Sequence, residues 1–252
     1  MKSGYINIKN KINNQSSLSI EFTKMYYLAQ QPGGLTDKQF KLNPDTSVRE
    51  RNWFEVDWNL CAIQYDLELN SNTKFNSRTF GLIASRKAVG NLDKPFYIDF
   101  MQDRNIISGE FNNIGNESRL VHLYEFLNNP SAFLIGARIY KGFNNNIQAN
   151  GNNLSTPDFN FTEDVINMND SSLSEATNYK FPSLNIALFG ENIFNINNKL
   201  SVTPGFRYEY ISTSSDGIFR RQELDNANNI LFDTVFREKN NQSRDFTVLG
   251  IG

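Results

Sequence analysis

The side chains that most often carry chemistry are scarce in this chain. His122 and Cys61 are the only histidine and the only cysteine in 252 residues. A Ser-His-Asp relay would have to be built on His122, a multi-histidine metal site cannot be built, and a lone thiol supports neither a disulfide framework nor a thiolate cluster. His122 lies in an alternating segment, which predicts packing or a polar contact at a strand end. Cys61 continues the apolar face of its strand and reads as a small hydrophobe. No Gly-rich phosphate loop and no HExxH is present. Asp and Glu number 27 together, but carboxylates facing water need no catalytic role. Neither enzymatic activity nor a cofactor is expected.

Composition narrows the class further. The formal net charge of -2 gives no reason to expect nucleic acid as a partner. Aromatics make up 13% of the chain, with 21 Phe and 10 Tyr, which is the composition of a folded protein. Mean hydropathy is nonetheless -0.50, and no stretch approaches the ~20 continuous apolar residues of a membrane helix. A helical membrane protein is excluded. The Met1 end carries lysines but no apolar core, so no signal peptide is expected there.

What remains must be positioned by strands. In residues 200–210, Leu200, Val202, Pro204, Phe206, Tyr208 and Tyr210 alternate with Ser201, Thr203, Gly205, Arg207 and Glu209, a period of two. A preceding limb with Leu184, Ile186 and Leu188 on one face and Asn185 and Glu191 on the other joins it through a short turn at 197–199. One face of this hairpin is greasy and aromatic, the other polar and charged. An apolar medium is needed on one side only, and that medium is either a protein core or a lipid bilayer.

The same unit recurs along the chain. Residues 4–9 and 17–27 form a first hairpin. Residues 59–69, with Cys61, Ile63, Tyr65, Leu67 and Leu69 on one face, turn at 70–73 into a return strand at 75–86. Residues 118–127 turn at Asn128-Asn129-Pro130 into a strand in which Phe133, Ile135, Ala137 and Ile139 alternate with Leu134, Gly136, Arg138 and Tyr140. Between the hairpins lie long polar connections at 28–57, 87–116, 142–182 and 212–243. The third is acidic, with Asp158, Glu163, Asp164, Asp170 and Glu175. A last strand occupies 244–251.

Short turns and long loops never exchange places, which predicts that all long connections lie at one end. A soluble sandwich would mix hairpins with crossovers. The expectation is therefore an all-β, antiparallel, up-and-down transmembrane β-barrel, here an incomplete one: a curved sheet of about nine strands. A strand of ~11 residues at ~3.3 Å per residue, tilted by ~40°, rises roughly 27 Å, close to the apolar band of such a barrel. Aromatics near strand ends (Tyr26, Tyr27, Trp53, Phe54, Phe126, Tyr140, Phe143, Phe194, Tyr208, Tyr210) suit interfacial girdles. A soluble ligand-binding β-sandwich is the alternative in which these rings fill a core. Pro204 stands against a central strand, because it removes a ladder donor. About nine strands do not close a bacterial barrel of even number, so an internal fragment is expected.

Several runs resemble a known family. The run Pro32-Gly33-Gly34-Leu35-Thr36-Asp37, then Asn43-Pro44 and Arg51-Asn52-Trp53-Phe54, is similar to a barrel segment of TonB-dependent outer-membrane receptors of the ferric citrate type. So are Ile107-Ser108-Gly109-Glu110-Phe111, Asn116-Glu117-Ser118-Arg119-Leu120, and Ala187-Leu188-Phe189-Gly190-Glu191-Asn192-Ile193-Phe194. The family's Pro-Gly-x-Arg-x-Glu pattern is matched by Pro204, Gly205, Arg207 and Glu209. The resemblance implies that residues 1–252 are part of a 22-stranded receptor barrel in the bacterial outer membrane. It also implies a plug domain, energy from the TonB complex, and import of a ferric chelate. A chelate such as ferric citrate is an anion, which points to the arginines of the loop end, Arg49, Arg51, Arg86 and Arg104, as carboxylate ligands. Against an anion stands the acidic third loop. A passive porin or adhesin barrel is the alternative within the same architecture. Arg207, Glu209, Arg138, Asp66 and Glu68 are expected to line a watery bore.

Overall fold

The computed structural model describes residues 1–91, 99, 101–162, 176–227 and 229–252. The expected acidic residues Glu163, Asp164, Asp170 and Glu175 lie outside these. The described chain is one antiparallel sheet. Its strands are β1 (Lys2–Lys11), β2 (Ser16–Gln30), β3 (Trp53–Asn70), β4 (Thr73–Gly90), β5 (Asn105–Phe126), β6 (Asn129–Asn150), β7 (Thr177–Asn197), β8 (Leu200–Val202), β9 (Pro204–Leu224) and β10 (Ile230–Ile251). Neighbours in sequence are neighbours in space, in the order β1-β2-β3-β4-β5-β6-β7-β9-β10, with β8 on β7. One short helix, α1 (Asp37–Leu42), opens on a capping box between Thr36 and Gln39.

This is a wall without a second layer, and the soluble sandwich is overturned. Among the described residues the buried apolar side chains are few and small: Val56, Ala62, Ala84, Val89, Ile106, Ala149, Ala176 and Ala187. The greasy residues of the alternating pattern instead stand in the open on one face. Ile20, Phe22, Ile63, Ile83, Ile114, Ile135, Ile139, Ile186, Leu188 and Phe206 are all exposed. The registers Phe22↔Cys61↔Gly81↔Ile114 and Ile139↔Ile186↔Tyr210 put them on the same side. The other face carries paired charge. Arg78 bridges to Glu21 at 2.6 Å, Arg138 to Glu117 at 3.7 Å, and Arg207 to Glu209 at 2.8 Å. Asp66, Arg138, Arg207 and Glu209 share that polar face.

Inside the apolar face lies a polar cluster. Asn116 Nδ2 donates to Ser77 Oγ at 3.0 Å and to Thr79 Oγ1 at 2.9 Å, and Ser118 Oγ reaches Ser77 Oγ at 2.9 Å. Polar side chains set among apolar neighbours satisfy one another.

The strands are longer than the alternation indicates. β5, β6 and β10 have 22 residues each, which at ~3.3 Å per residue and ~40° tilt rises about 55 Å, twice an apolar band. The loops shrink accordingly, to residues 31–52, 91–104 and 151–176. The fourth long connection is absent: residues 212–243 are mostly β9 and β10, joined by a tight turn at 225–229. The polar run Asn112–Glu117, read as loop, is strand too. The reason is physical. Toward the loop end both faces carry polar residues, so hydrophobic alternation lapses while backbone pairing continues, as at Asn144-Asn145-Asn146. On the face that carries the apolar residues below, Lys24 with Asp57 and Asn59, and Lys87 with Glu55, take over as two bonded groups. The inner face turns aromatic there, with Tyr27 edge-on to Phe54 at 6.3 Å.

The turns follow their residues. Leu127 and Asn128 both have positive φ, 52 and 59°, as a two-residue hairpin of mirror-image type demands. Asn129 and Pro130 already belong to β6. Pro204 marks the break between β8 and β9, yet the register is unchanged across it: Phe194↔Val202 on one side and Glu191↔Gly205 on the other. The proline removes a donor without shifting the strand. His122 is met at a strand end, its Nδ1 2.9 Å from Thr73 Oγ1. Phe126 and Phe194 pack edge-on at 5.1 Å near the short turns, while Tyr140 faces the polar side and leaves the expected girdle.

Rings on the polar face fold over glycines of the next strand. A Cβ at Gly136 would stand 2.4 Å from the Phe189 ring and 3.0 Å from the Ser118 carbonyl oxygen. Gly136→Val is therefore expected to lower the unfolding midpoint in detergent, at an overpacking cost of about 1–3 kcal/mol. A midpoint equal to that of the parent protein would show that Phe189 is free to leave.

Candidate functional site

All three long connections rise from the same end of the sheet, because strands of even partners return there. Between them they bring together residues far apart in sequence. Three of the four predicted arginines meet here. Arg51 and Arg104 are 3% and 0% exposed, and Arg49 is 1% exposed.

Arg51 holds Asp99 through both fork positions, Nε to Oδ2 at 2.7 Å and Nη2 to Oδ1 at 2.6 Å. Its remaining donors reach the carbonyls of Asn153 at 2.7 Å and Gln102 at 2.9 Å. Arg104 donates to the Asn152 carbonyl at 3.0 Å, the Thr156 carbonyl at 2.7 Å, the Arg51 carbonyl at 3.3 Å and Asn152 Oδ1 at 2.7 Å. Asn152 in turn donates to Asp158 at 2.5 Å, and Trp53 Nε1 donates to the Ser155 carbonyl at 2.7 Å. A planar guanidinium with donors in several directions is suited to tying loops whose carbonyls have no ladder. Arg49 lies against Gly33, whose φ of 77° and missing Cβ admit it; a Cβ there would stand 2.4 Å from Arg49 Cγ.

The electrostatics follow the contacts. The Arg51 hydrogen bonds hold the Asp99 carboxyl below its ordinary value, helped by the Met101 N–H. Asp99 raises Arg51 in return. Burial, then the Arg51 charge, lowers Arg104. The backbone N–H of Asn160 and the Asn152 and Asn160 amides lower Asp158.

Arg86 differs from the other three. It is exposed on the polar face, on the row Val56↔Arg86↔Gly109, with no ion pair or hydrogen bond among the described residues. The loop arginines were legible as residues of the right end, but Asp99, Asn152 and Asp158 were not legible as their partners. No local spacing signals them. Among the described residues no group of His, Cys, Asp and Glu could hold a metal ion, and no helix is long and apolar enough to cross a membrane.

Neither a family model nor a curated protein matches the sequence. Solved structures do. The ferric citrate transporter FecA in its unliganded form aligns with a TM-score of 0.68 at 16% identity, over 99% of this chain and 33% of that one. The ferric yersiniabactin uptake receptor FyuA from Yersinia pestis gives 0.70 at 9% identity, over 99% and 34%. The ferric-catecholate import receptor Fiu from E. coli K12, in its open form, gives 0.64 at 9%, over 99% and 44%. The chain thus spans about a third to under half of the structures it matches. At these identities the likeness establishes the fold, an unclosed piece of barrel wall.

Proposed function

We propose that this chain is part of the barrel wall of an outer-membrane receptor that imports ferric chelates, with ferric citrate as the candidate cargo and the TonB complex as the source of energy. The observation that carries the reading is the division of one sheet into an exposed greasy face and an ion-paired polar face, capped at one end by loops tied to one another. A bilayer fits the first face, and a bore holding a plug fits the second. Structures of this shape include proteins described as a ferric citrate transporter and a ferric yersiniabactin receptor.

Within that reading the arginines divide. Arg51 and Arg104 shape the mouth, and Arg86 is the carboxylate ligand, an exposed cation on the polar face below the loops. Arg49 stays a candidate contact only if the loops part. The test is uptake of radiolabelled ferric citrate by iron-starved cells producing the complete receptor. Uptake that stops with an uncoupler supports active import, and uptake that survives it indicates a passive pore. Arg86→Ala is expected to raise the half-saturating concentration about ten- to a hundredfold, as loss of one charge-assisted contact of about 1.5–3 kcal/mol implies. An unchanged value at equal surface level removes Arg86 from the site.

A further inference from the structure

A second binding surface lies on the polar face, and its chemistry differs from that of the arginines. A cavity of about 320 Å³ spans β6, β7, β9 and β10, lined by Asn144, Phe181, Ser183, Thr213, Ser215 and Asn240. No charged side chain lines it among the described residues. Asn144 Oδ1 is buried there without a hydrogen-bond partner, an acceptor that folding has removed from water and left unused. The β7–β9 ladder lapses at the same place. Pairing runs through Lys180↔Asp216, resumes at Ser183↔Thr213, and is missing at the level of Pro182, which brings no N–H. Backbone polar groups are thereby available beside the side chains.

One aromatic ring, Phe181, forms part of the wall. Phe181 is 38% exposed and stacks on Tyr179 at 5.9 Å and 15°. Tyr179 lies flat over Gly217, where a Cβ would stand 2.4 Å from the ring, and its hydroxyl reaches Glu238 at 3.2 Å. That carboxylate is thus engaged.

We infer that this cavity binds a neutral polyhydroxylated group, a sugar ring. An anion would find no cation among the lining residues. A purely apolar ligand would strip water from hydroxyls and amides and return no hydrogen bond. A sugar offers both donors and acceptors to Asn144, Ser183, Thr213, Ser215 and Asn240, and presents a C–H face to the Phe181 ring. The cavity is at the low end of the roughly 300–1,000 Å³ of ligand pockets, so it suits one small group of a ligand. The inference rests on the polar face being the wetted bore of the proposed receptor.

The experiment uses the assembled protein in a detergent without sugar headgroups, with maltose as probe and saturation-transfer NMR as readout. Transfer to the ring C–H protons is expected. Phe181→Ala and Thr213→Val, both at exposed positions, are each expected to weaken it about tenfold, the worth of one good contact, with an unchanged circular dichroism spectrum. Absence of transfer in the parent protein, or transfer in either variant equal to the parent's, overturns the inference. Ferric citrate uptake reads the receptor proposal separately. Sugar binding without uptake refutes that proposal and leaves this site standing, and uptake without sugar transfer does the reverse.

Discussion

Phe206→Arg is expected to block assembly of the protein into bilayers, whereas Arg207→Phe, one residue along the same strand, is expected to assemble. Phe206 stands 44% exposed on the apolar face and its ring lies over Gly190, where a Cβ would be 2.9 Å away. A guanidinium there faces hydrocarbon, costing roughly 2–4 kcal/mol near the midplane and less toward the rim. It also uncovers Gly190. Arg207 points the other way, over the Phe189 ring at 5.6 Å and bonded to Glu209. Its loss leaves Glu209 with Asn185, which donates to the same carboxylate, on a face where water completes the solvation. A folding titration into lipid vesicles measures both. Equal yields for the two variants would mean that the faces are not divided between lipid and water, and the receptor reading would lose its basis.

The same alternation explains what could be read in advance. Where one face is apolar and the other polar, period two shows in the side chains, so residues 133–139 and 200–210 declared their strands. Strand number along the main sheet path was legible for the same reason. Toward the loop end that pattern lapses, and Asn144, Asn145 and Asn146 or Ser212, Thr213 and Ser214 pair as backbone without any sign in their side chains. Four long loops were therefore expected where three exist. The candidate site was half legible. The arginines of the loop end were expected as carboxylate ligands of a chelate; the carboxylate that Arg51 holds in the structure is Asp99, 48 residues away, and Arg104 serves the carbonyls of residues 152 and 156. Contacts at such separation leave no local pattern. The neutral cavity under the loops had still less, since it depends on which strands lie side by side and on one proline.

Removing Arg104 is expected to untie the loops while leaving the sheet intact. Its guanidinium is the common donor to the carbonyls of Arg51, Asn152 and Thr156, and in Arg104→Ala all three lose it together, Asn152 keeping only the longer bond from the residue 104 backbone N–H. Buried acceptors left unpaired cost about 1–3 kcal/mol each, and local opening becomes about tenfold more frequent for each 1.4 kcal/mol. Amide hydrogen exchange in residues 31–52 and 151–162 should quicken by tenfold or more, with β5 and β6 below them unchanged. Arg104→Lys should not restore protection, because a point charge on a flexible stem cannot serve Nε, Nη1 and Nη2 directions at once. Acid should act on the neighbouring tie. Asp99 is held below its ordinary value, so the stability it contributes is present above the unfolded value of about 3.9 and is lost as pH falls through the lowered one. Asp158 has the same sign. Exchange in these segments should therefore rise in the acid range in the parent protein. In Asp99→Asn it should already be fast at neutral pH, because Arg51 then keeps a buried charge without its carboxylate. Slow exchange in Arg104→Ala, or an Asp99→Asn variant that matches the parent at neutral pH, would mean that the loops hold their shape independently of this network.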